Sequence, residues 1–321
     1  MGIERVAVIG AGAWGTALSQ AAALAGRTVT VVGRDAEVLE DINERHRNRV
    51  YLGDLPLSNR ITAAATMPNA DLVILAVPAQ RSRDALEHFA GPLAGKSVVL
   101  SAKGLERGSL KRQSEILREV VTGATPYVLS GPSFATDVAA GRPTAVTLAG
   151  DDPDRTLDVA AALAGPSFRP YAAGDMLGVE FAGALKNVYA LACGAVEGAK
   201  LGASARAALI GRGFAELTRY VVAMRGMATT LNGLAGLGDL TLSCTSAESR
   251  NYRYGMALGA GDPPGIALAE GVATAPVAQE LARRLGIDVP LVDAVNLLLE
   301  GNTSISEIVA GLMSRPLKRE E

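Results

Sequence analysis

Histidine, cysteine and tryptophan are almost missing from this 321-residue chain, which holds two His, two Cys and one Trp. Two cysteines, Cys193 and Cys244, cannot form a disulfide framework and lack the paired spacing of a zinc site, so a reducing compartment is expected and no metal. The histidines stand in ERHRNR (His46) and EHFAG (His88) with no nucleophile or metal ligand beside them. Histidine-based chemistry is therefore not expected, and both are read as solvated side chains. An excess of one charge is lacking too: 31 Lys and Arg against 33 Asp and Glu leave a net charge of −2. That balance gives no field to draw the chain to nucleic acid or to an anionic membrane, so any bound anion must be held by a local site. No apolar run reaches the roughly 18 residues of a membrane helix, because Arg206, Arg212, Arg219 and Arg225 interrupt the most apolar helical region. The opening MGIERVAVIG puts Glu4 and Arg5 directly before a strand-like run, which is unlike a secretory leader, and Val6 stands where a myristoylation signal wants Ser or Thr. The expectation is a cytoplasmic protein with no membrane insertion and no nucleic-acid partner.

What is present is half hydrophobic, 49%, and long enough that two domains are expected. The first half alternates β-branched runs with Ala- and Leu-rich stretches: ERVAVIG, TVTVVGR, DLVILAVP, SVVLSAK, TPYVLSG and TAVTLAG. That rhythm predicts an α/β fold, a Rossmann-type doubly wound parallel sheet covered on both faces. From about Gly178 the strand signals stop and helical periodicity takes over, in VEFAGALKNVYALACGAVEGAK and ARAALIGRGFAELTRYVVAMRGM. A boundary near residue 180 is expected, with FRPYAAGD as the last strand and turn of a dinucleotide-binding domain, residues 1–180. Residues 181–321 are read as a mostly α-helical substrate-binding and dimerisation domain.

The segment RVAVIGAGAWGTALS carries Gly10, Gly12 and Gly15 as G-x-G-x-x-G between a strand-like and a helical run. In that setting Gly10 permits a tight turn, Gly12 admits a pyrophosphate close to the backbone, and Gly15 lets the helix pack on the strand, with Ala13 inside the same loop. The second strand ends in Gly33, Arg34 and Asp35, where the adenine ribose would lie. An acidic residue there suits the free 2′-hydroxyl of NAD and a guanidinium the 2′-phosphate of NADP; Arg34 comes first off the strand, so NADPH is favoured over NADH.

Ligands of an open parallel sheet lie beyond the carboxyl ends of its strands. Lys103 follows the strand SVVLSA there, and Gly131, Ser133 and Ala135 follow YVLS. In the helical half, Lys186 and Asn187 interrupt the apolar stretch EFAGALKNVYALACGAV. Burial depresses the pKa of an unpaired ammonium, so Lys186 is either a proton donor to a carbonyl or a lysine reaching out to solvent. Two neighbouring lysines would also lower each other's pKa. The run GLAGLGDLTLSCTSAESRNYRYG brings Asp239, Ser243, Ser249, Arg250 and Asn251, which suit a phosphomonoester or, more simply, a polar loop with a cap at Asp239 or Ser249.

Taken in order, GAGAWGTALS, LVILAVPAQ, SAKGLE, LSGPSFATDVAAGRPTA, FAGALKNVYALACG, GLAGLGDLTLSCTS, SRNYRYG, AEGVATA and LMSRPLKRE strongly resemble the bacterial NAD(P)-dependent glycerol-3-phosphate dehydrogenases, nearly end to end. The resemblance implies reversible hydride transfer between NAD(P)H and dihydroxyacetone phosphate, giving glycerol 3-phosphate for phospholipid synthesis, without a metal and in a homodimer. It implies that Lys186 exchanges the proton, assisted by Lys103 at both cofactor and substrate. Gly131, Ser133, Asn187, Asp239, Ser249, Arg250 and Asn251 would hold the substrate. Trp14, Arg34, Lys103, Ala135, Arg250, Leu268 and Glu270 would touch the cofactor. Tyr51-Leu52-Gly53-Asp54 departs from the family's usual order in that loop. The alternatives are a related two-domain dehydrogenase of hydroxy acids or sugar-phosphate acids, or a non-catalytic NAD(P) sensor.

Overall fold

The computed structural model describes residues 2–262, 265 and 269–316. Eight strands form one sheet: β1 (Arg5–Ile9), β2 (Thr28–Val32), β3 (Ile61–Ala64), β4 (Leu72–Leu75), β5 (Ser97–Leu100), β6 (Thr125–Ser130), β7 (Thr144–Ala149) and β8 (Phe168–Ala173). Their spatial order is β3-β2-β1-β4-β5-β6-β7-β8. The chain thus winds outward from β1 in one direction, returns, and winds outward from β4 in the other. The carboxyl ends of β1 and β4 flank the point of reversal, where such sheets open a crevice.

The strands are β-branched because both faces of the sheet are covered: Val6, Val8, Val29, Val31, Leu72 and Ile74 face one core, and Ala7, Ile9, Val73, Leu75, Val98 and Leu100 the other. One pairing differs from the expected all-parallel sheet. β6 and β7 run antiparallel, Val128 opposite Ala149, while every other neighbouring pair is parallel. The connection between them holds only the short helix Ala135–Ala139, not the full crossover helix that usually returns the chain for parallel pairing. β3 was not foreseen; ITAA offers four residues and little alternation.

Helices follow β8. The long helix Met176–Gly198 has 19 of its 23 residues buried, so it is a core axis rather than a surface helix. Around it pack the helices Ala203–Ala223, Asp239–Thr245, Arg250–Ala260, Glu270–Leu285 and Pro290–Glu300. The approach of Arg250–Ala260 is the closest of these that glycine controls. A Cβ on Gly194 would lie 2.0 Å from the Tyr252 carbonyl oxygen, and one on Gly255 would lie 2.1 Å from that of Leu191. Only glycine lets the two backbones touch, and this contact sets the start of the second helix beside Lys186 and Asn187. Among the described residues no helix is long and apolar enough to cross a membrane.

Candidate active site

A cleft of about 1260 Å³ opens at the sheet's reversal point and continues between sheet and helices. Its sheet side is the glycine loop. Gly10 has φ +118°, and a Cβ there would lie 2.5 Å from the Ala76 carbonyl oxygen at the end of β4. A Cβ on Gly15 would lie 1.9 Å from the Gly10 carbonyl oxygen. Both positions therefore demand glycine so that β1, β4 and the helix Ala13–Leu24 can meet. At Gly12, by contrast, an added Cβ would meet nothing within 4 Å. Gly12 is the N-cap of that helix and supplies no side chain to its first-turn N–H groups, an arrangement that accepts an anionic group from the cleft.

A dinucleotide fits these residues. Gly12, Ala13 and Trp14 line the cleft at the pyrophosphate position, with Arg34 and Asp35 at the end of β2. Of the last two, Asp35 is committed elsewhere: its carboxylate accepts the N–H groups of Glu37 at 3.1 Å and Val38 at 3.4 Å as the cap of helix Ala36–Arg45. Arg34 is exposed.

The floor of the cleft holds one carboxylate between two ammonium groups. Asp239 accepts Lys103 Nζ on Oδ2 at 2.7 Å and Lys186 Nζ on Oδ1 at 2.6 Å. Lys186 also donates to Ser243 Oγ at 2.7 Å, and Lys103 to the Gly131 carbonyl at 3.0 Å. Lys103 Nζ further stands 5.9 Å from the centre of the Trp14 ring, at the outer reach of a cation–π contact. Asp239 is 1% exposed and Lys186 8%, so Lys186 does not reach out to solvent. Burial drives the Lys186 pKa down to about 8; Asp239 opposes that fall, and the neighbouring Lys103 adds to it. The effect of Lys103 on Lys186 is thus a smaller cause than burial. Burial favours protonation of Asp239, but the two lysines override it and hold its carboxyl below the ordinary range. A π-helical turn, Leu234–Gly238, leads into the helix that Asp239 begins, an irregularity that recurs at functional sites.

Side-chain amides brace this centre. The carbonyls of Lys103, Gly104 and Leu105 accept from Asn187 Nδ2 at 3.0 Å, Gln113 Nε2 at 2.9 Å and Gln80 Nε2 at 2.7 Å respectively. Three consecutive peptides after β5 are therefore fixed, and with them the direction in which Lys103 leaves the backbone. Asn187 Oδ1 accepts from Asn251 Nδ2 at 2.9 Å, and Asn251 Oδ1 accepts the Gly271 N–H at 2.9 Å. Ser249 caps the helix Arg250–Ala260 through the Tyr252 N–H at 3.3 Å. Arg250 is exposed at the start of that helix and faces the cleft.

Of the residues singled out from sequence, Gly10, Gly12, Ala13, Trp14, Arg34, Lys103, Ser133, Ala135, Lys186, Asn187, Asp239, Ser249, Arg250, Asn251 and Glu270 all line this one cleft. Gly15 packs beneath the loop, and Gly131 contributes its carbonyl to Lys103. Leu268 lies outside the described residues. Glu270 begins its helix, but its carboxylate accepts the Ala79 N–H at 3.0 Å across the cleft rather than capping that helix. Asp239 caps nothing either; both its oxygens serve lysines. His46 is only half-buried instead of solvated, and it ends a helix at φ 48°. Sequence reasoning missed Gln80 and Gln113, whose spacing from Lys103 carries no signal. It noted the Ser243 hydroxyl but not that it reaches Lys186. Among the described residues no three His, Cys, Asp or Glu side chains are placed to share a metal ion.

The N-terminal model of the NAD-dependent glycerol-3-phosphate dehydrogenase family matches residues 5–156, and its C-terminal model residues 175–310. The chain is 48% identical to a glycerol-3-phosphate dehydrogenase (NAD(P)+) of Caulobacter vibrioides, with 100% of both chains covered. It is 49% identical to that of Brucella ovis over 99% of each. The crystal structure of glycerol-3-phosphate dehydrogenase from Coxiella burnetii superposes with a TM-score of 0.91 at 34% identity, covering 98% of this chain and 99% of that one.

Proposed function

Because the chain belongs to the NAD-dependent glycerol-3-phosphate dehydrogenase family, an oxidoreductase family, we propose that its cleft interconverts dihydroxyacetone phosphate and sn-glycerol 3-phosphate, with Lys186 exchanging the substrate oxygen's proton. The observation that carries this assignment is the buried Lys186–Asp239–Lys103 centre at 2.6 and 2.7 Å. Bound in the cleft, NAD(P)H supplies the hydride to the substrate carbonyl carbon. Lys186 has a pKa of about 8, close enough to neutrality to give a proton to the forming alkoxide and to take one back in reverse. Asp239 keeps that ammonium aimed while Ser243 fixes its third direction. Lys103, held by its braced peptides, presents the second positive charge to the carbonyl oxygen. Arg250, at the cleft end of its helix, suits the substrate phosphate, for which guanidinium offers paired donors.

Residues 1–180 would serve as the nucleotide half and residues 181–321 as the substrate half. With Asp35 tied up as a helix cap, the side chain free to meet the adenine ribose is Arg34, which favours NADPH. Family membership supports a cytoplasmic homodimer that feeds glycerophospholipid synthesis. The deciding experiment follows absorbance at 340 nm with NADPH and dihydroxyacetone phosphate beside a panel of 2-keto acids. Oxidation of NADPH by the phosphate ester is expected; a flat trace with it, or faster loss with a keto acid, would overturn the assignment.

A further inference from the structure

The glycine loop is gripped from outside by a side chain that touches neither the centre of chemistry nor the cleft. Asn48 is fully buried. Its Nδ2 donates to the Ala11 carbonyl at 2.9 Å and to Thr16 Oγ1 at 2.8 Å, so one amide group ties the middle of the loop to the first turn of the helix that follows. Asn48 is itself held by its neighbours. Asp41, 4% exposed, accepts the Arg49 N–H at 2.9 Å and the Arg49 guanidinium at 2.9 and 3.1 Å. The Asn48 carbonyl in turn accepts the Leu52 N–H at 2.8 Å and starts the short helix Arg49–Leu52.

The consequence follows from peptide geometry. A trans peptide is planar, and its C=O and N–H point in opposite directions. Fixing the Ala11 carbonyl toward Asn48 therefore fixes the next N–H, that of Gly12, away from Asn48. Gly12 lines the cleft and has nothing but open space where a side chain would be. We propose that Asn48 is a positioning residue for the cofactor: it sets the rotation of the Ala11–Gly12 peptide so that the Gly12 N–H faces the pyrophosphate position before any nucleotide arrives. This rests on the nucleotide reading of the cleft given above. Without the grip the peptide can turn about its flanking bonds, and part of the binding free energy goes into turning it back.

The chain's only tryptophan, Trp14, stands two residues from Gly12 in the cleft wall, so its fluorescence reports on nucleotide binding without any turnover. Titration of the full-length wild-type protein with NADPH, excited at the indole, is compared with Asn48→Ala and with the milder Thr16→Val, which removes only the second acceptor. Asn48→Ala is expected to weaken NADPH binding by about 10-fold and Thr16→Val by about 3-fold, the scale of one and of part of one hydrogen bond. In steady state, KM for NADPH should rise by the same factors while kcat at saturating NADPH and KM for dihydroxyacetone phosphate stay within about 2-fold. A general loss of folding would instead lower kcat along with the thermal midpoint. Wild-type affinity in both variants, or loss confined to kcat, overturns the role of Asn48 alone. Failure of the wild-type protein to bind NADPH overturns the nucleotide reading and this inference with it.

Discussion

Lys186 and Asp239 meet at 2.6 Å with both side chains nine-tenths or more buried, and Lys103 takes the second carboxylate oxygen at 2.7 Å. One negative charge is thus shared by two positive ones in a place where water screens little. The asymmetry has a chemical use. Asp239 must stay ionised to hold two ammonium groups, whereas one of those ammoniums can lose its proton and leave the pair balanced.

The first expectation concerns pH. In the proposed role, ketone reduction needs Lys186 as the ammonium, and alcohol oxidation needs it as the free amine. With its pKa at about 8, kcat for reduction should fall as pH rises through about 8, and kcat for oxidation should rise over the same interval. Lys186→Ala should lower both by about a hundredfold or more and flatten those limbs. Pre-steady-state rates in both directions between pH 6 and 10 would test this, and limbs of equal sign would refute it.

Asp239→Asn should move the same limb. Asp239 pulls the Lys186 pKa upward against burial; with an amide in its place, the ammonium loses its counter-charge and titrates at lower pH. The reductive limb should shift acidward by about one unit or more, since a buried neighbouring charge is worth at least that. An unshifted limb would mean that another group titrates.

Arg34→Ala should weaken NADPH binding by about 10-fold or more and NADH binding by less than about 3-fold, because a charge-assisted contact to the 2′-phosphate exists for only one of them. Dissociation constants for the two nucleotides, measured side by side, decide it. An equal loss would remove the 2′-phosphate assignment.

Arg250→Lys keeps the charge at the mouth of the cleft and loses the paired donors. KM for dihydroxyacetone phosphate should rise about 10-fold or more, and by more than KM for NADPH. Reduction of unphosphorylated dihydroxyacetone should be the same in both proteins; if the substitution impairs it as much as it impairs the phosphate ester, Arg250 does not hold the phosphate.

Far from the cleft, Glu216 is 1% exposed and caps the helix Pro290–Glu300 by accepting the Leu291 N–H at 2.7 Å and the Val292 N–H at 3.3 Å. Burial raises its pKa from 4.5 to about 7, outweighing those two donors. A carboxyl whose folded pKa is raised holds its proton better in the folded state, so its contribution to stability is present at acid pH and is lost as pH rises from about 4.5 to about 7. Glu216→Gln should remove that slope: its thermal midpoint, relative to wild type, should gain a few degrees between pH 5 and pH 7.5. A constant difference across the range would show that Glu216 does not titrate there.

Much of this could be read in advance, and the reasons differ by element. The strand runs and the glycine spacing are local patterns, legible because β1, the loop and the helix Ala13–Leu24 are contiguous. Lys186 stood out as a charge in an apolar stretch. The orientation of β7 had no signature, because pairing direction depends on the path the intervening chain takes in space. Nor could Asp239 be told from a helix cap, since its partners lie 53 and 136 residues away. Asn48, Gln80 and Gln113 were invisible for the same reason: an amide that grips a distant carbonyl looks like any polar residue until the fold brings the two together.

The touching backbones at Gly194 and Gly255 mean that the spacing between the helix that carries Lys186 and the helix that starts at Arg250 is set by main-chain thickness, with no rotamer to relax it. Such a pair acts as a hard stop: even an alanine methyl at either position would force the helix that carries Arg250 and Asn251 away from the one that carries Lys186 and Asn187.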